Sequence, residues 1–350
     1  MTLKIGDKKL DFYNEVAVQL NYDSVASVFS FAFYFDPENA DHRAMFKPGR
    51  YAPVTVEHEG ELLITGILLS TGFESAGDPP RSWVRVSGYS KTGVLEDCEI
   101  PTSAYPLQSN GLSLEQIAGK ITKDFGLKVV VDSSVQSKAL QKYSVSTASD
   151  SQSCKSYLAE LAGQKHVMLS HTAQGELLLT EANINAAPVA DFSRGMQDVR
   201  MSLDFDGQRM HSEIEMIKQQ TKGRKDGTHK QGNSGQSSVT NPYVPVYRPK
   251  VNRQTSREVV DTANAARNIL SDELKGLTVK IDMVGWTLGG KLAKPNTIIT
   301  AMNPEVFLFK KTRLFVASVD FRGNEQSETA TLTCFVPEVF GSAQPKNIFE

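Results

Sequence analysis

The sequence predicts a mainly β protein with α+β insertions: two similar antiparallel β-barrel domains accompanied by smaller α/β domains. Three observations predict it. The first hundred residues alternate apolar and polar side chains with period two, the pattern of strands that bury one face. The spacing becomes helical after Pro101 and returns to strands near Val199. A long strand, a polar turn and a second strand occur at residues 62–89 and again at 314–336, which reads as one barrel present in two copies.

Val16, Val18, Leu20 and Tyr22 alternate with Ala17, Gln19, Asn21 and Asp23, and Phe29, Phe31, Phe33 and Phe35 follow on one face of a second strand. Asp36-Pro37 ends that run, because proline donates nothing to a ladder. Residues 54–57, 62–69 and 83–87 are further strands, separated by Glu59-Gly60 and by the cluster at 76–80. Residues 1–100 are therefore read as the first barrel. Ser113 followed by Gln116 has the capping-box form, with Ile117, Ala118, Ile121 and Phe125 at helical spacing and Gly126 as the stop. A short strand at 129–131, a helix from about Cys154 to Ala162 stopped by Gly163, and a hairpin at 167–170 and 177–180 complete a small α/β domain over 101–187.

Strands at 199–205 and 212–219 open the second barrel, assigned to 188–218 and 278–341. The intervening insertion, 219–277, begins with residues 221–240, which are rich in Gly, Ser, Gln and Lys. With so little to bury, they read as a mobile loop. A helix is predicted from Thr255 or Ser256, with Val259, Val260, Ala263, Ala266, Ile269, Leu270 and Leu274 as its apolar stripe. Strands at 278–284, 297–301, 313–321 and 328–336 close the barrel, and 342–350 is a C-terminal tail.

The formal net charge of −2 supplies no global basic field for nucleic acid. Cys98, Cys154 and Cys334 lack metal or redox spacing and read as reduced thiols, so the chain is expected to fold in a reducing cytosol. The N-terminus turns polar too soon for a signal peptide. No apolar run approaches ~18 residues, and no stable membrane association is expected.

No catalytic pattern holds in the sequence. Residues 285–292, GWTLGGKL, imitate a phosphate-binding loop, but Leu292 stands where a hydroxyl should meet magnesium, and Pro295 breaks the helix that should follow. His42, His58, His166, His171, His211 and His229 form no metal-binding pair. Residues 232–235 lack the spacing of a nucleophile elbow, and no pair of carboxylates stands out for glycoside hydrolysis. No cofactor or metal is predicted, and the chain is not expected to be an enzyme.

Two segments stand out instead. Trp286, Gly290, Pro295 and Asn296 read as a structural turn, with the indole against a barrel and the asparagine side chain bonding its own backbone. Lys222, Arg224, Lys225 and Lys230, with Lys218 nearby and only Asp226 as a counter-charge, form a candidate partner-contact loop. It fits an acidic neighbour, DNA passing without sequence specificity, or a solvated segment ordered on assembly.

The ordered set of residues 285–288, 290–292 and 294–297, then 314–321 and 330–337, resembles the second barrel of Mu-like phage tail proteins, the gpP or late-control D group. Residues 157–162 with 175–180, and 86–90 with Asp97-Cys98, resemble the same family's middle domain and first-barrel end. Ala293 departs from it, where an aromatic often precedes the basic-Pro-Asn turn. The resemblance implies a virion baseplate hub of a contractile tail. This would be a homotrimeric, pseudo-six-fold ring joining the hexameric tail tube protein to a trimeric spike, with a channel for genome ejection. Since the sequence stops at Glu350 without a repetitive β tail, the spike is expected to be a separate polypeptide. The alternatives are the spike head of a type VI secretion system, which has the same architecture as this hub, and a tail-associated cell-wall hydrolase.

Overall fold

A computed structural model describes residues 1–77, 81–105, 110–143, 152–218, 224–225, 228–229, 236–254, 262–341 and 343–350. The first β unit contains β1 (Thr2–Ile5), β2 (Lys8–Leu10), β3 (Glu15–Asn21), β4 (Val28–Tyr34), the short helix α1 (Ala40–Met45), β5 (Pro53–His58), β6 (Glu61–Ala76) and β7 (Arg81–Ser90). The alternation noted above explains its core. Val16, Val18 and Leu20 of β3 and Phe29, Phe31 and Phe33 of β4 all point inward and are buried. The Phe31 and Phe33 rings stack at 5.8 Å. Each such side chain contributes about 1.5–3 kcal/mol by leaving water.

The α/β domain follows with α2 (Val94–Asp97), α3 (Leu114–Thr122), β8 (Val129–Val131), α4 (Gln136–Ala139), α5 (Cys154–Gln164), β9 (Met168–His171) and β10 (Leu177–Thr180). Both halves of the capping box form at Ser113 and Gln116, and Gly126 takes the left-handed conformation at φ +64°. Gly163 does not stop α5. The helix runs one residue further, to Gln164, and the reversal is made by His166 at φ +53°.

The rest of the chain supplies β11 (Pro188–Ser193), β12 (Val199–Phe205), β13 (Glu213–Lys218), β14 (Arg224–Lys225), β15 (Thr228–His229), β16 (Gln236–Thr240), β17 (Pro249–Gln254), α6 (Thr262–Leu274) and β18 (Leu277–Val284). After these come β19 (Thr287–Leu288), β20 (Lys291–Leu292), β21 (Thr297–Asn303), β22 (Leu308–Asn324) and β23 (Glu328–Phe335). β13 pairs with β16 and β17 rather than with the strands of the second β unit. Together with α6 these strands form a separate layer around Ile214, Met216, Ala266, Leu270 and Leu274. The expected loop at 221–240 is thus a strand from Gln236 onward, pinned by buried Val239. The stripe of α6 also differs from expectation. Ala263 is exposed, while Glu273 is buried because His211 and Lys250 meet its carboxylate. Val259, Val260 and the predicted helix start at 255–256 lie outside the described residues.

The two β units repeat one topology. In the first, the hydrogen-bonded order is β3-β4-β7-β6-β5-β1; in the second it is β12-β18-β23-β22-β21-β11. Numbered along the chain without β2, the strands β13–β17 and the β19–β20 hairpin, both orders read second, third, sixth, fifth, fourth, first. They differ at the first strand, which is antiparallel to its neighbour in one unit and parallel in the other. The long fifth strand of each unit carries a bulge, at Leu69 and at Ala317, that shifts its register with the sixth. A bulge bends its strand and increases its twist. Neither path closes on itself among the described residues. Instead β22 of the second unit pairs with β3 of the first over Ser318–Asn324, and one core runs through both.

Candidate assembly surface

The predicted turn lies where the units meet. Gly285 and Gly290 adopt φ +80°; Gly285 leads into a minimal hairpin of β19 and β20, and Gly290 lies in its turn. No helix follows Lys291, so the segment has hairpin rather than phosphate-loop geometry. Trp286 is buried, and its indole N–H is shared between the carbonyl oxygens of Arg322 (3.0 Å) and Thr329 (3.1 Å). The indole packs near-perpendicular to Phe321 of the second unit and to His58 of the first, with ring centroids 6.1 and 5.4 Å apart. A Cβ on Gly323 would sit 2.7 Å from the indole, so the side chain there must be a hydrogen atom. Lys294 of the turn pairs with Glu61 on β6. Both are half exposed, which keeps that pair weak.

Asn296 is left-handed at φ +59°, the conformation asparagine tolerates best after glycine. Its side-chain oxygen does not bond its own backbone as expected. It accepts from the Asn183 N–H at 2.9 Å, while its own N–H reaches the Val316 carbonyl. Asn296, preceded by Pro295, thus ties the exit of the α/β domain to the second β unit. Tyr22 marks the same seam from the first unit, donating to the Glu181 carbonyl at 2.8 Å and packing on Phe315.

The α/β domain docks through His171. One ring nitrogen lies 2.7 Å from Ser27 Oγ and the other 2.9 Å from the Ser24 carbonyl, both in the link between β3 and β4. Burial pushes its pKa below the ordinary histidine value, against the smaller opposing pull of the Ser24 carbonyl. At the end of β7, Gly88 lets Ile67 and Phe29 close in, and Tyr89 lies against Gly93 while its hydroxyl donates to Asp97 (2.7 Å). Burial, then that carboxylate, raises the phenol's pKa. The segment at 86–97 is therefore a packed connection between the first β unit and the α/β domain. Burial pushes the Cys154 thiol up to about 11, then the nearby Cys98 adds to it.

Of the basic loop, Lys222 and Lys230 lie outside the described residues. The backbone of Arg224-Lys225 pairs with Thr228-His229. None of this could be read from composition. The sequence also does not signal Gly323, whose role is set by an indole 37 residues away in the chain.

Residues 92–181 match the second domain of the gp44-like baseplate hub proteins. That span begins at the connection after β7 and ends with the β9–β10 hairpin. The whole chain is similar to a 43 kDa tail protein of prophage MuSo2 from Shewanella oneidensis, at 22% identity over 97% of this chain and 98% of that one, with a TM-score of 0.77. It is equally similar in fold to a tail protein from Neisseria meningitidis MC58, at 17% identity over 97% of both chains and the same TM-score. A more distant likeness, 9% identity over 99% of this chain and 80% of the other with a TM-score of 0.56, is to an E. coli type VI secretion component. That component is itself described as structurally similar to the T4 tail proteins gp27 and gp5. No curated sequence matches. The fold is shared with these tail proteins, and its middle domain is similar to the second domain of the gp44-like baseplate hub proteins. Among the described residues, no helix is long and apolar enough to cross a membrane.

Proposed function

We infer that this chain is a structural hub of a contractile-tail baseplate. Three copies assemble into a ring of six alike β units, one face meeting the hexameric tail tube and the other a separate trimeric spike. The central channel lets DNA pass. The observation that carries this reading is the repeated strand order of the two β units and their fusion at β22 and β3. A chain with two near-equivalent units can present six-fold geometry to one partner while keeping three-fold symmetry for another. The hub domain at 92–181 and the tail-protein fold support the same place in the virion. The role is one of assembly and not catalysis. The turn around Trp286 holds the two units rigidly enough to share one ring, and the loop carrying Lys222, Arg224, Lys225 and Lys230 is assigned to partner contact.

The likeness to the type VI component makes a spike head of such a system the second reading. Negative-stain images of the purified protein test both. A ring with a central hole and six similar lobes is expected. Featureless single particles would contradict the ring, and co-purification with an effector-loaded spike apparatus rather than a tail would favour the second reading. Hydrolysis of purified cell wall would contradict the non-catalytic role.

A further inference from the structure

Two strand edges are left open in equivalent positions, and each looks like half of a junction that the chain has already made once. Among the described residues β12 pairs only with β18, and residues 70–76 of β6 pair only with β7, since β5 ends its pairing at Ile67. β22 has the same overhang beyond β21, and there β3 fills it. Because β6 corresponds to β22 and β12 to β3, the open overhang of one chain has the shape of the socket, and the open β12 of another has the shape of the strand that fills it.

Matching the registers makes the correspondence specific. The bulges place Leu69 on Ala317, and hence Thr71, Phe73 and Glu74 on Val319, Phe321 and Arg322. The ladders to the third strands place Arg200, Ser202, Leu203 and Phe205 on Glu15, Ala17, Val18 and Leu20. Burial then separates the filled junction from the open edges. Phe321 and Leu20 are 0% and 8% exposed, whereas Phe73 and Phe205 are 47% and 44% exposed. Val319 and Val18 are fully buried, while Thr71 and Leu203 are only half-buried. Apolar residues on an unpaired strand edge invite another strand. Charge does not decide the pairing. At the filled junction Arg322 lies opposite Ala17 and diagonal to Glu15, but Glu15 pairs with Arg85 and Arg322 with Asp320. Transferred to the open edges, Glu74 lies opposite Ser202, with Arg200 on one diagonal and Asp204 on the other.

We propose that residues 70–76 of β6 pair antiparallel with β12 of a second copy of this chain, with Thr71 opposite Phe205, Phe73 opposite Leu203 and Glu74 opposite Ser202. The contact is head-to-tail. It repeats the β22–β3 junction, and three such contacts alternate with three internal junctions to close the sheet. This rests on the ring reading and supplies the atoms that close it.

Disulfide trapping tests it. The Tyr22 N–H donates to the Ala317 carbonyl at 3.0 Å, which makes that a hydrogen-bonded pair. By alternation Ala17 and Arg322 form a close, non-hydrogen-bonded pair, the kind that brings Cβ atoms nearest. The equivalent between copies is Glu74 with Ser202. The E74C/S202C variant, oxidised with copper phenanthroline, is expected to give covalent dimers and trimers that reduction dissolves. Either single variant gives neither, and the diagonal E74C/D204C gives several-fold less. A17C/R322C is expected to close within one chain and serves as the template. Light scattering is run on the same samples. Trimers without the E74C/S202C link, beside a closed A17C/R322C, overturn the edge pairing and leave the ring standing. Monomers at every concentration, with no link, overturn both. An A17C/R322C pair that stays open overturns the register from which the pairing is drawn.

Discussion

The contact between Gly323 and Trp286 gives the sharpest stability prediction. Gly323→Ala places a methyl 2.7 Å from the indole Cζ2 and 3.1 Å from Val16 Cγ1. The indole cannot retreat without losing its N–H bonds to Arg322 and Thr329, and Val16 is itself buried. Overpacking of this kind costs about 1–3 kcal/mol. Trp286→Phe removes the clashing atoms together with the N–H donor, leaving two carbonyls underbonded at a cost of about 1–3 kcal/mol. In that background the added methyl has room on the indole side, so Gly323→Ala should cost on the order of 1–2 kcal/mol less than in the parent. Urea unfolding followed by far-UV circular dichroism measures all four proteins, and a common m-value allows their midpoints to be compared. A Gly323→Ala penalty that is equal in both backgrounds, or absent in the parent, would refute the contact.

Three further outcomes follow from other side chains. His171 has a lowered folded-state pKa, so the unfolded chain takes up its proton more readily. Its share of stability is full above about pH 6.5 and is lost as pH falls below that value towards the folded-state pKa. The drop in urea midpoint between pH 7.5 and 5.5 should shrink in His171→Gln, and an unchanged drop contradicts the account. Glu273→Ala strands Lys250 and the His211 N–H beside an apolar core and should cost about 3 kcal/mol by thermal or urea unfolding, whereas a neutral result means the triad carries no stability. Alkylation by iodoacetamide at pH 8 should modify the half-exposed Cys98 before Cys154, whose buried thiol has a pKa near 11, and before buried Cys334; peptide mass spectrometry reads the order, and early Cys154 labelling would contradict its burial.

Strands with one buried face were legible because their period survives in the residues themselves. β3, β4, β12 and β18 all show it, and the matching hairpins at 62–89 and 314–336 exposed the duplication. What was not legible lies in relations between distant segments. β6 runs to Ala76, but its last seven residues, STGFESA, show no alternation because that edge is open and largely exposed. β13 reads as a strand, yet nothing in its own residues says that it leaves the second β unit for β16 and β17. The polarity of 236–240 argues for a loop, and one buried valine with a paired backbone outweighs it. Asn296 signals a turn through its tolerance of positive φ, but its bond to Asn183 depends on a chain segment more than a hundred residues earlier. The basic residues near 222–230 are plain in the sequence, and no fold constraint on them could be read from it.

The central claim is a ring of three chains built from six alike β units. Light scattering on the full chain, taken across a wide concentration range, tests it most directly. The account predicts a species of three times the 38.5 kDa chain mass. A mass that stays at one chain, including in the presence of the spike polypeptide, would contradict it.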